Sequence, residues 1–226
     1  MISDQDWVAL GITLRLALIT MLILLVLATP LAWWLAHTRS RFKTAIEAVV
    51  ALPLVLPPTV LGFYLLIALG PQGFVGGSLE ALGATHLAFT FTGLVIGSVL
   101  YSMPFAVQPL QDAFTSLGRR SMEVAATLRA SPLDRFFTVA APLARRGFLT
   151  AAVLSFAHTL GEFGVILMIG GNIPGQTQVA SIAIYDHVEA MDYGSAHALS
   201  ALLLVFSFLI LFAVYFMNRR FHVVRL

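Results

Sequence analysis

Glu162 stands deep in an apolar run, in Leu160-Gly161-Glu162-Phe163-Gly164, with His158 four residues before it. If the run is helical, that spacing lets the two side chains touch. A carboxylate at such a depth in a bilayer costs on the order of 2–3 kcal/mol or more, so something must offset it. His158 is the natural partner to expect. The pair could gate a path, relay a proton, or only tie two helices together.

A second unusual stretch is Leu52-Pro53-Leu54-Val55-Leu56-Pro57-Pro58-Thr59, in the middle of another apolar run. Proline removes a backbone donor and clashes with the preceding turn. A broken helix is expected there. Irregular backbone at membrane depth is tolerated only against protein or a wet cavity. Pro57, Pro58 and Thr59, with His158 and Glu162, are therefore the candidates for a translocation path or gate, beside the simpler reading of a kink that improves packing.

Enzymatic chemistry finds little support. A phosphate-binding loop needs Gly-x-x-x-x-Gly-Lys-Ser/Thr, and the only lysine is Lys43, which follows Phe42. The six histidines include no His-Glu-x-x-His pair, and Gly76-Gly77-Ser78-Leu79 lacks the second glycine of an intramembrane serine protease motif. No histidine or carboxylate cluster has metal-ligand spacing, and with no cysteine there is no thiolate ligand. The expectation is no catalytic residue, no metal and no nucleotide site.

The elements that must carry these residues are membrane helices. Hydrophobic residues make up 59% of the 226 and charged ones 11%, against about a quarter charged in a soluble domain. A bilayer core of roughly 30 Å needs about 20 apolar residues of helix. Five runs qualify, at about 10–36, 46–70, 88–109, 148–170 and 196–217. One domain over 10–217 is expected, all-helical, with no repeat and no leader to be cleaved. A pI near 9.3 could suggest nucleic acid, but the formal charge is only +2 and the basic residues sit in loops.

Twelve of the thirteen basic residues fall between runs one and two (Arg39, Arg41, Lys43), between three and four (Arg119, Arg120, Arg129, Arg135, Arg145, Arg146), or after run five (Arg219, Arg220, Arg225). The N-terminus and loops 71–87 and 171–195 hold acidic residues and no Lys or Arg. The positive-inside rule then predicts N-out, C-in. Arg15 is the exception, near the outer end of the first run, where a long side chain can snorkel.

The longest basic stretch, 112–147, is expected to be a structured cytoplasmic loop, with Ser131-Pro132 as N-cap and first-turn proline of a short helix. Outside, Val179 to Met191 reads as an amphipathic interfacial helix, and Gly93-x-x-x-Gly97 as an interhelical contact.

The run Glu123-Val124-Ala125-Ala126-Thr127-Leu128-Arg129-Ala130-Ser131-Pro132, followed by Phe136 and Pro142, resembles the Glu-Ala-Ala loop of binding-protein-dependent ABC importer permeases. Val124 stands where alanine is usual and Arg129 where glycine is usual. The resemblance implies a type I ABC permease fold in which Glu123, Ala125, Ala126, Arg129 and Pro142 couple to an ATPase. Residues 53–62 and 160–164, with Asn172-Ile173-Pro174-Gly175, are similar to the molybdate and tungstate permeases. That likeness implies a homodimer of permease subunits in a bacterial inner membrane, with cytoplasmic ABC ATPases that bind ATP and magnesium, and a periplasmic molybdate-binding protein. Its rivals are the same machine for another oxyanion such as sulfate, or a proton-coupled carrier or channel using Glu162 and His158.

Overall fold

The computed structural model describes residues 2–118, 123, 125, 127 and 129–220. Helix α1 spans Asp4–His37 and opens on a reciprocal cap: the Asp6 amide donates to Ser3 Oγ at 3.2 Å, and the Ser3 amide donates to the Asp6 carboxylate at 2.8 Å. Two donors that the first turn leaves orphaned are thereby satisfied. At 34 residues the helix is about 50 Å long, more than a bilayer core requires.

The second apolar run is broken where its prolines predict, into α2 (Lys43–Val55) and α3 (Pro58–Leu69). Leu56 and Pro57 are extended between them, and Pro58 takes the first helical position, where its missing N–H costs nothing. A short helix α4 (Phe74–Ala81) follows. Helix α5 (Phe91–Ser116) starts at Thr90, whose hydroxyl accepts the Gly93 amide at 3.1 Å. It continues through Pro104 and Pro109.

After α5, residues 123, 125, 127 and 129–144 carry the loop region. Arg129 adopts φ +60°, the left-handed conformation that glycine usually supplies, and the Ala130 amide donates to the Ala125 carbonyl. This is the six-to-one bond of a helix C-cap, made here with arginine in the turn. The tight turn therefore survives the departure from glycine. Ser131 accepts the Asp134 amide and caps α6 (Pro132–Arg135), as its sequence predicts. A π-helical turn (Phe136–Ala140) and α7 (Ala141–Leu143) lead into α8 (Arg145–Leu160) through a 71° bend.

The fourth apolar run is not one helix. Helix α8 stops at Leu160, and α9 (Gly164–Gly170) begins only after Gly161, Glu162 and Phe163. Gly161 and Gly164 flank the break, and glycine is about 1 kcal/mol worse than alanine in a helix interior. Helices α10 (Ala180–Glu189) and α11 (Tyr193–Arg220) complete the chain.

Among the described residues, four helical segments (Asp4–His37, Pro58–Ala81, Phe91–Ser116, Tyr193–Ala213) are able by length and apolar character to cross a membrane, and the bent pair ending at Leu160 makes up to five. Helices α1, α5 and α8 pack on one another as the centre, with α9 wedged between α3 and α5. Their contact is lined by small residues, including Ala28, Ala32, Ala106 and Ala151. Gly97 of the expected glycine pair is met by Ile169 of α9.

Loops expected on one side are brought to one end. There, His187 Nε2 lies 2.9 Å from Asp6 Oδ1, the Ala180 amide donates to Thr13 Oγ1, and the Phe89 amide donates to the Ile169 carbonyl. Helix α10 lies where the interfacial helix is expected, with Ala180, Ile182 and Ala183 buried against its neighbours. The Arg15 guanidinium sits 4.8 Å from the ring centre of Phe91, the first residue of α5. At the opposite end, Phe136 joins an aromatic cluster with Trp33 of α1 (5.3 Å) and Phe114 of α5 (6.0 Å), and Phe148 of α8 packs on Phe114 (5.9 Å).

That cluster ties the loop to three central helices. Phe136→Ala is expected to cost about 3 kcal/mol through the cavity it leaves. Thermal unfolding of the detergent-purified chain measures this, and an unchanged midpoint would show that the cluster does not hold the loop.

Candidate functional site

The two interruptions meet. A Cβ on Gly164 would stand 2.7 Å from Cβ of Pro58, and one on Gly62 would stand 2.7 Å from Cβ of Met168. Only glycine at both positions lets α3 and α9 approach so closely. Beside this contact lies a cleft of about 630 Å³, lined by Pro58, Thr59, Tyr101, His158, Glu162 and Met168 among others. Four of the five path residues expected from sequence therefore border one space, and the fifth, Pro57, forms the hinge beside it as the N-cap of α3.

The pairing of His158 with Glu162 does not form. His158 Nδ1 is 2.8 Å from Ser102 Oγ, which is also 3.1 Å from Thr159 Oγ1. Its ring stacks on Phe105 at 4.1 Å and lies 4.8 Å from Tyr101. The reason is local: the i, i+4 relation needs an unbroken helix, and α8 ends at Leu160 before the second partner is reached.

Glu162 is 5% exposed, and neither carboxylate oxygen has a hydrogen-bond partner among the described residues. Its side chain faces Ser98, whose hydroxyl is also buried and is near enough to interact with the carboxylate without a short hydrogen bond. The Glu162 backbone carbonyl is held, accepting from Ser181 Oγ at 2.7 Å. The break is thus fastened through its main chain, and the carboxylate is left at the wall of the cleft.

Covalent catalysis is a poor fit. Ser102, the one hydroxyl in contact with a histidine here, is fully buried and cannot meet a substrate. Among the described residues, no group of histidine and carboxylate side chains could hold a metal. What the arrangement offers is a space at the junction of two helix breaks.

The coupling candidates lie apart from this cleft, in the loop region. Glu123 is exposed and Ala125 buried; Arg129 forms the left-handed turn; Pro142 lies in α7. Ala126 lies outside the described residues. Sequence reasoning missed Tyr101, Ser102 and Phe105, all on α5. The signal that was available is Tyr101 and Phe105 one turn apart, with Ser102 next to Tyr101, in an apolar run.

Since the carboxylate anchors nothing, Glu162→Gln is expected to insert at the normal level and to keep most of the transport. Uptake normalised to subunit abundance measures this. Abolished uptake at normal abundance would give the ionisable group itself a part in transport.

Residues 28–223 match the family described as binding-protein-dependent transport system inner membrane component. The chain is 61% identical over 220 residues to the molybdenum transport system permease protein ModB of Azotobacter vinelandii, covering 97% of each. It is 33% identical to a probable sulfate transport system permease protein, cysT, of Prototheca wickerhamii, covering 91% of this chain and 80% of that one. Among solved structures, two crystal structures of a bacterial alginate ABC transporter superpose with TM-scores of 0.81 and 0.80 at 19% identity. They cover 97% and 99% of this chain and 81% and 82% of theirs. With a family match across most of its length and close relatives end to end, the chain belongs to the inner membrane components of binding-protein-dependent transport systems.

Proposed function

We propose that this chain is the permease subunit of an ABC importer that carries molybdate across the bacterial inner membrane by alternating access. The observation that carries this reading is the cleft between two interrupted spans, in a chain 61% identical to a protein named as a molybdenum transport permease. Five spans, N-out and C-in, agree with the distribution of basic residues. Two copies of the subunit enclose the path, and Pro57, Pro58, Thr59, His158 and Glu162 lie along or beside it.

ATP and magnesium bind to a separate cytoplasmic ATPase, and a periplasmic binding protein delivers the oxyanion. A periplasmic protein is named in the complex of one of the alginate transporter structures. Glu123, Ala125, Ala126, Arg129 and Pro142 form the surface that follows the ATPase. The aromatic cluster around Phe136 supports this role, because it would pass movement of the loop to α1, α5 and α8.

The test is uptake of radiolabelled molybdate into proteoliposomes that hold the permease, its ATPase and its binding protein. Uptake should stop when the ATPase is inactivated, and tungstate should compete better than sulfate. Stronger competition by sulfate would reassign the substrate. Uptake that survives ATPase inactivation and collapses with the proton gradient would replace the importer by a carrier.

Orientation is tested separately. The chain has no cysteine, so Gly83→Cys and Gln176→Cys should react with an impermeant thiol reagent from outside the cell, and Asp134→Cys should not. Labelling of Asp134→Cys from outside would reverse the topology.

A further inference from the structure

The cleft at the two breaks has a neighbouring space across the His158–Phe105 contact. Tyr101, Phe105, Gln108 and Asp112 are spaced four, three and four residues apart, so they share one face of α5. Tyr101 borders the upper cleft. Phe105, Gln108 and Asp112 border a second crevice of about 350 Å³, closed on its other side by Gly147, Thr150 and Leu154 of α8. The Phe105 ring, stacked on His158, is the divider between the two spaces.

Gln108 is exposed about 25 Å along α5, next to the loop-side end of the apolar run at 109. An amide there can face a wet crevice at little cost. The Gln108 amide has two N–H donors, and it has no hydrogen-bond partner among the described residues. The one hydroxyl lining this crevice among the described residues is committed, since Thr150 Oγ1 donates to the Arg146 carbonyl at 2.9 Å.

Among the described residues the crevice lining holds no lysine or arginine, and its one charged residue, Asp112, stands one turn from Gln108 and repels an anion. A tetrahedral dianion could meet the neutral Gln108 donor there and would be held only weakly. That suits a path, in which binding must be favourable enough to enter and weak enough to leave.

We propose that the α5–α8 crevice is the loop-side half of the translocation path, and that the Gln108 carboxamide is a hydrogen-bonding station for the oxyanion within it. The proposal rests on the importer reading and adds to it a segment and a residue.

The experiment uses the reconstituted complex of permease, ATPase and binding protein, with radiolabelled molybdate as the probe. Gln108→Glu keeps the size and brings a like charge to the anion, so initial uptake should fall about tenfold or more while ATP hydrolysis and subunit abundance persist. Gln108→Leu removes the donor and should lower the maximal rate by a few fold. Uptake by Gln108→Glu within about twofold of wild type would overturn the proposal.

Gln108→Cys gives a second readout in case charge disturbs assembly. It should react with a small hydrophilic thiol reagent added from the loop side of sealed vesicles. A lack of reaction would mean that the crevice is covered by lipid or by a second copy, and would overturn the proposal as well. If the wild-type complex itself imports no oxyanion, the importer reading fails; if wild type imports and both variants behave like it, only the crevice assignment fails.

Discussion

A lipid bilayer has no water to pair with an exposed N–H or C=O, so a span can be interrupted only where protein or a wet space covers the interruption. Among the described residues, two apolar runs are interrupted close to each other, at Leu56-Pro57 and at Gly161-Glu162-Phe163. They cover each other. Gly164 seats against Pro58, Gly62 against Met168, and Ser181 takes the Glu162 carbonyl. A larger side chain at either glycine would push the broken ends apart and leave their backbone groups without cover. The cleft follows from the same contact, since two helices that stop short cannot fill the volume that continuous ones would.

The other half of the molecule is built for the opposite mechanical property. Where α1, α5 and α8 meet, alanines allow close approach and the buried side chains include Leu24, Leu35, Leu110 and Phe114. Packed interiors transmit strain rather than absorb it. The loop region reaches this block through Phe136, and its helix end at Arg129 is held in a left-handed turn that costs an arginine roughly 1–2 kcal/mol. A stiff block joined to a loop at one end, and bordered by two hinged spans, is a mechanical arrangement suited to moving a path.

The buried polar groups separate into two kinds. Ser102, Thr159 and His158 satisfy one another across α5 and α8, and Thr13 holds the start of α10. Among the described residues, the Thr20 and Ser98 hydroxyls, Arg135 Nε and both Glu162 carboxylate oxygens are buried without a close hydrogen bond, and of these Ser98 and Glu162 face each other beside the second break. A buried polar group without a partner costs about 1–3 kcal/mol, so a pair held this loosely is not explained by stability alone.

Properties written locally were legible in the residues themselves. Apolar runs of sufficient length declare helices able to span, prolines declare a break, and Ser131-Pro132 declares a helix start, because each depends on a few adjacent residues or on composition. The position of the path candidates around one space was legible only in part. That Glu162 falls in a break and His158 turns to Ser102, 56 residues earlier in the chain, depends on where α8 stops and on what α5 presents to it. Periodicity cannot supply that, since Leu160-Gly161-Glu162 reads equally well as helix or as hinge until a neighbour covers its backbone. The polar face of α5 was missed for the same reason: spacing shows that Tyr101, Phe105, Gln108 and Asp112 share a side, and only packing decides whether that side meets lipid, protein or a crevice. The sequence by itself determined a multi-span membrane helix bundle with a proline-broken span. The tertiary structure decided which residues share the space inside it, because contacts between distant segments are set by how the helices pack and not by any one of them.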